Sequence, residues 1–229
     1  MTAGVTGEAA GPEYPKINGI WKRTDRGKVI IGEYATPELH FLRHSQWFWT
    51  EKIDGTNIRL HWDGDRLLIG GKSDSAQIPA PLYEYLQAFV ACPWDDFDGP
   101  ITVYGEGFGA GIQSGGQYGS EQRFIVFDVF IHDDATPYGG WWLAQNQVEA
   151  IATGFGLPTV PYMGTTYNLE LAEEIVRGDQ AGFVSAFDGV EPEGIVGRPA
   201  VPMFDRRGNR IMVKIKRKDY SHIKREEDT

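Results

Sequence analysis

Cysteine is almost absent. The 229-residue chain has one, Cys92, which excludes an internal disulfide and a cysteine-based zinc site and points to a reducing compartment, the cytoplasm. Long hydrophobic runs are missing too: none approaches the ~18 apolar residues of a membrane span, so no membrane association is expected. The N-terminus, MTAGVTGEAAGPE, lacks the basic region and apolar stretch of a signal peptide. Positive charge is short, with 22 Lys+Arg against 32 Asp+Glu and a net charge of −10. That balance argues against nonspecific coating of nucleic acid but leaves room for a local basic groove. What is present is material for a core, since 41% hydrophobic and 13% aromatic residues rule out wholesale disorder.

Residues 1 to about 13 are small and polar with Gly and Pro, and a flexible N-terminal arm is expected there. No linker, low-complexity tract or repeat divides 14–229, which reads as one domain. The periodicity is mostly of the strand kind. Ile58, Leu60 and Trp62 alternate with Arg59 and His61, and Asp63-Gly64 turns the chain into Arg66-Leu67-Leu68-Ile69, a hairpin signature. Ile101 to Glu106, Arg123 to Ile131, Gly194 to Gly197 and Arg210 to Lys216 are further strand candidates, rich in Val, Ile and Phe. Helical spacing marks Leu82, Leu86, Phe89 and Val90, then Leu143 to Ile151, then Leu169 to Arg177 with Gly178 as a stop. Hairpins interrupted by a few helices predict an α+β fold.

Some motifs invite functional readings that their neighbours do not sustain. His40 and His44 could share a helical face, but HFLRH holds no general-base Glu and no third ligand is in sight. Gly105 to Gly111 is glycine-rich yet matches neither the dinucleotide nor the Walker pattern. Trp141-Trp142 reads as packing aromatic rather than as a base-stacking platform, and Cys92 as a small buried hydrophobe.

The informative segment is Glu51-Lys52-Ile53-Asp54-Gly55-Thr56-Asn57-Ile58-Arg59. An aromatic strand (Trp47, Phe48, Trp49) ends in a Lys, Asp54-Gly55 turns the chain, and a second strand leaves. A primary amine is thereby presented from a rigid edge beside a carboxylate, and lysine is a nucleophile only as the neutral amine. Alone, the segment fits an exposed turn with a solvated Lys equally well. Four more segments follow in order. Tyr104-Gly105-Glu106-Gly107 ends a strand with a carboxylate. Phe124 to Val129 alternates faces, so Phe127 is expected to point opposite to Phe124, Val126 and Asp128. Glu193 opens a strand over Gly194-Ile195-Val196, and Lys214 and Lys216 share one face of another. Singly, Phe127 fits a core, the acids a surface and the lysines a solvated face; the ordered set is an inventory for nucleotidyl transfer.

In that order, K-x-D-G (Lys52 to Gly55), G-E (Gly105, Glu106), F-D-V (Phe127 to Val129), E-G-I-V (Glu193 to Val196) and K-x-K (Lys214 to Lys216) resemble the motifs of the covalent nucleotidyltransferase superfamily of polynucleotide ligases and mRNA capping enzymes. Glu51 just before the Lys and Asn57 after it look most like the RNA ligase branch that contains phage nick-sealing and trypanosome editing RNA ligases. The resemblance implies an ATP-grasp-like nucleotidyltransferase domain of antiparallel sheets flanked by helices. It also implies an ATP-dependent RNA ligase using Mg²⁺ or Mn²⁺. Lys52 would be the adenylylated nucleophile, Phe127 would stack on adenine, and Glu106 would hold the ribose. Glu193 would engage the metal, and Lys214 and Lys216 would contact the phosphates. Glu51, Asp54 and Asn57 would help define the nucleotide pocket. Lys72 stands where this branch usually has an Arg, supplying charge without a bidentate fork.

AMP would pass from lysyl-AMP to an RNA 5′-phosphate, and an RNA 3′-hydroxyl would displace it. DNA nick sealing, capping guanylylation and a nucleic-acid-binding module with a decayed site are rival readings; the intact Lys52, Glu106, Glu193, Lys214 and Lys216 speak against decay. Similar enzymes add a C-terminal accessory domain, whereas this chain ends about a dozen residues past Lys216. A weak, salt-sensitive polynucleotide grip is therefore expected, drawing on cations from Arg206, Arg207 and Arg210 to Lys224 and Arg225.

Overall fold

The computed structural model describes residues 10–178 and 183–221. Its first six strands are β1 (Asn18–Gly19), β2 (Trp21–Arg23), β3 (Val29–Tyr34), β4 (Trp47–Lys52), β5 (Thr56–Trp62) and β6 (Leu67–Gly70). The remaining six are β7 (Ile101–Phe108), β8 (Arg123–His132), β9 (Gly140–Trp142), β10 (Tyr162–Thr166), β11 (Gly194–Pro199) and β12 (Val213–Lys216). The helices are α1 (Pro37–Phe41), α2 (Ala80–Gln87), α3 (Gln145–Gly154) and α4 (Leu169–Arg177). This is the α+β class expected of the sequence. Among the described residues no helix is long and apolar enough to cross a membrane. The chain divides into two compact units, each discontinuous in sequence: residues up to Pro15 with Asp54–Val160, and Lys16–Ile53 with the chain from Pro161 on. The chain passes between units three times, at Pro15-Lys16, Ile53-Asp54 and Val160-Pro161, and composition does not announce the last two, which fall within strand-and-turn sequence rather than a linker.

The first unit is built on an antiparallel sheet of order β6-β5-β7-β8-β9. Alternation puts Ile58 and Leu60 of β5 and Val103 of β7 on one face, where they join Leu82 and Leu86 of α2 and Val148 and Ala152 of α3 in a buried cluster. The β5–β6 hairpin is the expected one, its turn held by Asp63 Oδ1, which accepts from the Asp65 and Arg66 N–H groups at 2.9 Å each. Residues 10–14 cross the opposite face. The wholly buried Arg59 donates to Gly11 O at 2.5 Å, Gly71 O at 2.8 Å and Asp74 Oδ1 at 2.8 Å. Tyr104 Oη donates to Pro12 O at 2.9 Å, and Tyr14 Oη to Asp128 Oδ2 at 2.7 Å. Of the arm expected over 1–13, residues 10–13 are thus held against the sheet, and 1–9 lie outside the described residues.

One strand departs from simple alternation. Tyr104 pairs with Asp128 and Gly105 with Val126, which leaves Phe127 as the extra residue of a β-bulge. Phe124 and Val126 face the apolar cluster before the bulge and Val129 after it, a change of phase. Phe127 does point opposite to Phe124 and Val126. The expectation that Asp128 shares their face is corrected: the bulge turns Asp128 to the side of Phe127, where both meet Tyr14. The physical reason is desolvation, since a fully buried carboxylate has to face a donor rather than aliphatic side chains.

The second unit holds a sheet of order β1-β12-β11-β4-β10, parallel only between β1 and β12, and the β2–β3 hairpin. Trp47 and Trp49 of β4, Ile195 of β11, and Val213 and Ile215 of β12 bury one face together with Leu169, Ala172 and Val176 of α4. Helix α4 has the predicted limits because Asn168 Oδ1 caps the Leu171 N–H at 2.6 Å and Gly178 ends it at φ 84°.

The strap face of the first unit also half-buries two histidines. Thr102 Oγ1 lies 2.8 Å from His61 Nδ1 and 2.7 Å from His132 Nε2. Burial, and then the charge of His61, push His132 from its ordinary 6.5 down to about 4, and burial lowers His61 as well. The unfolded chain therefore binds the proton first as the pH falls. The stability that this difference contributes is complete above about 6.5 and is lost as the pH falls from there towards about 4. Because water still reaches the half-buried ring and screens it, the loss from His132 by pH 5 is on the order of 1 kcal/mol rather than the full value of the shift. Urea denaturation should show the midpoint falling from pH 7 to pH 5, with a shallower fall in His132→Gln; equal falls in both proteins would contradict this.

Candidate active site

In the second unit, register assembles the charges. Gly194 pairs with Lys52 on one side and with Lys216 on the other, so two lysines flank a residue without a side chain. Glu193, one residue earlier, reaches both: its Oε2 is 2.5 Å from Lys52 Nζ and its Oε1 is 2.6 Å from Lys216 Nζ. The strands approach too closely at Gly194 for any other residue, since a β-carbon there would lie 2.0 Å from the Ile215 carbonyl oxygen. Val213 and Ile215 face the core, which leaves Lys214 and Lys216 on the opposite face of β12. Burial pushes the Glu193 carboxyl up, but the Lys52 and Lys216 ammonium groups outweigh it and hold it below its ordinary value. Lys214 is lowered, by burial first and then by the charges of Lys216 and Lys52. Glu51 alternates with these residues to the buried side of β4, where it accepts from Ser185 Oγ at 2.5 Å and from the Ala186 N–H at 2.9 Å.

In the first unit, Asp54 opens the turn and donates its N–H to Tyr118 Oη at 3.2 Å. A β-carbon at Gly55 would lie 2.2 Å from the Gly107 carbonyl oxygen, which is why K-x-D-G ends in glycine here. Asn57 and Glu106 are direct cross-strand partners on the face that carries the strap. The Asn57 Oδ1 atom is buried with no hydrogen-bond partner among the described residues. An unmet buried acceptor costs about 1–3 kcal/mol and marks a place for a ligand donor. Phe127, half-buried, meets Tyr14 edge-on at 4.9 Å, and Tyr14 also packs on Tyr104 and Trp142. Lys72 is exposed in the turn after β6 and makes no ion pair among the described residues.

Lys52, Glu193, Lys214 and Lys216 are thus brought together in one unit, and Asn57, Glu106 and Phe127 share a face in the other. Lys72 joins neither group by contact. Sequence reasoning missed Tyr14, because its partner Asp128 is 114 residues away, and missed Ser185 as the donor that satisfies Glu51. A signal existed for both: a carboxylate within an apolar strand requires a donor from elsewhere. Among the described residues no group of three or more His, Cys, Asp or Glu is placed to hold a metal, and Glu193 is the carboxylate nearest in kind to an anchor. Of the excluded motifs, His40 and His44 are exposed and Trp142 packs on Tyr104 and Phe130. Trp141, expected to pack as well, instead alternates to the other side of its strand and is 47% exposed, and Cys92 is partly rather than fully buried.

Glu193→Gln keeps shape but removes the counter-charge between two lysines whose side chains are only 20% exposed. It should destabilise the protein by on the order of 2–3 kcal/mol, somewhat less than for a fully buried pair. Denaturant titration at pH 7 measures this, and an unchanged midpoint would mean that the bridge contributes nothing to stability.

Comparison with known proteins follows the same pattern. The sequence matches the RNA ligase family over residues 45–216, about three quarters of the chain. No curated protein matches it. Among solved structures it is similar to an RNA ligase of Naegleria gruberi. The structure with pyrophosphate is 18% identical, with a TM-score of 0.61 over 96% of this chain and 61% of that one. A variant with ATP and manganese is 17% identical, with a TM-score of 0.61 over 90% and 62%. A variant with AMP and manganese is 17% identical, with a TM-score of 0.62 over 95% and 61%. The chain therefore spans about three fifths of the length of these solved structures, and the likeness extends to their fold. On the match across its ordered motifs, the chain belongs to the RNA ligase family.

Proposed function

We propose that the protein is the nucleotidyl-transfer core of an ATP-dependent RNA ligase, with Lys52 as the nucleophile. The observation that carries this reading is the Lys52 amine held at a strand end on Glu193, beside Lys216, within a chain of that family. Lys52 Nζ attacks the α-phosphorus of ATP, the bond to the bridging oxygen breaks, and pyrophosphate leaves as lysyl-AMP forms. An RNA 5′-phosphate then takes the AMP, and an RNA 3′-hydroxyl displaces it to make the phosphodiester. Lys214 and Lys216 meet the negative charge that builds on phosphate oxygens in each step. Phe127 offers a ring to the adenine, Glu106 accepts from the ribose, and Asn57 Oδ1, buried and unmet, accepts from the nucleotide. Glu51 and Asp54 shape the segment that presents Lys52, and Lys72 adds positive charge at the nucleotide pocket.

The Naegleria gruberi structures that contain manganese with ATP or AMP support a divalent cation here. A hard cation that draws most of its ligands from phosphate and water needs only one or two carboxylates, so the donor set fits with Glu193 as the residue that would hold Mg²⁺ or Mn²⁺. When bound, the cation would neutralise charge on the transferring phosphoryl group. A reducing cytoplasm suits a chain with one cysteine.

Incubation with α-labelled ATP should give acid-labile, amine-linked AMP on the wild type, and none on Lys52→Ala or on Lys52→Arg, whose guanidinium stays protonated. Label on either variant would overturn the nucleophile, and label from GTP in place of ATP would move the activity to capping. Phe127→Ala should raise the KM for ATP about tenfold, in line with the loss of a stacked ring. Phe124→Ala, from the buried face, should instead cost about 3–5 kcal/mol of stability with little change in KM. Equal loss of ATP affinity in the two folded variants would contradict the assignment of faces.

A further inference from the structure

The second unit carries a surface that the chemistry of lysyl-AMP does not use. Between α1 and the segment that follows β11 lies a groove of about 580 Å³, lined mostly by apolar residues, among them Phe41, Leu42, Met203, Phe204 and Ile211, with Glu38 as the single carboxylate in the lining. Its floor is firm, because Leu42 belongs to the core of this unit and Ile211 packs against it. Its rim is not satisfied by the protein. Phe41 is 83% exposed and Phe204 54% exposed, and Val201 and Met203 are exposed beside them. Large aromatic rings left in water at this level are surface features of the kind that binding covers.

The charge around the groove is also out of keeping with the chain. The two segments that form it, 37–44 and 200–211, hold four arginines and two acids, whereas the whole sequence has a net charge of −10. One of the acids is used up locally. Asp205 accepts from the Arg207 N–H at 2.8 Å, the Asn209 N–H at 2.8 Å and Asn209 Nδ2 at 3.0 Å. Two further bonds close the turn, from Asp205 N–H to Asn209 O at 2.8 Å and from Ile211 N–H to Met203 O at 2.8 Å, and Gly208 takes φ 81° within it. A prebuilt turn thus presents the exposed Arg206 and Arg207 next to the exposed ring of Phe204.

We propose that this face binds a single-stranded stretch of polynucleotide, with bases stacked on Phe41 and Phe204 and phosphates against Arg206 and Arg207. Flat rings beside fixed guanidinium groups suit a polymer that alternates flat bases with anionic phosphates. An apolar protein partner would use the rings and leave the two arginines with nothing to pair. On an acidic chain, a polyanion gains most at such a local positive site. The assignment of the polymer as RNA rests on the ligase reading; the stacking and charge argument does not.

The test is fluorescence anisotropy of a labelled, single-stranded oligoribonucleotide without ATP, so that binding is read apart from chemistry. Phe41→Ala/Phe204→Ala should weaken affinity roughly tenfold or more, as loss of two stacking partners does. Phe41→Tyr/Phe204→Tyr should restore it. Arg206→Gln/Arg207→Gln, at an exposed turn where folding is not at issue, should lower the slope of log affinity against log salt by about 1.4, two contacts at ~0.7 each. Thermal melting of each variant gives the fold control, and lysyl-AMP formation should be unchanged in all of them. Affinity within twofold of wild type in the Ala and Gln variants would overturn the proposal. So would a wild type that does not bind the oligonucleotide, or one whose self-association in sedimentation is abolished by the Phe variants while RNA binding stays intact. A wild type that binds RNA through this face but forms no lysyl-AMP would sink the ligase reading and leave this inference standing.

Discussion

A single carboxylate held between two ammonium groups is the interaction on which the second unit depends. Glu193 touches Lys52 and Lys216 from opposite strands, with Lys214 close enough to feel both charges. Withdrawing these groups from water is costly, and their attraction offsets that cost only while β4, β11 and β12 keep register. Register in turn depends on Gly194, the one residue type that lets the strands close at that point, and on Trp47, Trp49, Ile195, Val213 and Ile215 packing on the other face. A slip of one residue would move the lysines into the apolar cluster and the tryptophans out of it. The same alternation that builds the core thus presents the proposed nucleophile.

In the first unit a different constraint operates: a fully buried Asp128 and a fully buried Arg59 must both be satisfied on one face of a sheet. The strap of residues 10–14 does this, supplying Gly11 O to Arg59 and Tyr14 Oη to Asp128. The bulge at Phe127 is what allows it, by turning Asp128 away from the aliphatic side. The ring of Phe127 is consequently fixed against Tyr14, while Asn57 Oδ1 on the same face has no donor among the described residues. A rigid ring and an unmet acceptor on one sheet face are features that a nucleotide would complete.

The features legible in the sequence were those governed by near neighbours. The β5–β6 hairpin followed from alternation and its turn, and α4 from its spacing and Gly178 as a stop. Lys214 and Lys216 on one face, and Glu193 at a strand start, were readable from period two alone. What escaped was long-range. The parallel pairing of β1 with β12, the partner of Asp128 and the donor to Glu51 each join residues more than a hundred positions apart. The phase change at Phe127 was hidden because F-I-V-F-D-V alternates acceptably without a bulge; only the burial of Asp128 demands one. The division into two units was hidden because one of its crossing points falls inside the K-x-D-G segment itself and another just ahead of β10, at Val160-Pro161.

The central claim is that the strand end at Lys52 presents an amine for adenylylation. Peptide mapping by mass spectrometry, on wild-type protein incubated with ATP and manganese, tests it most directly. The account predicts one adenylyl group, on the peptide that contains Lys52, lost on mild acid treatment. An adenylyl group on Lys214 or Lys216, or none on any lysine, would contradict it.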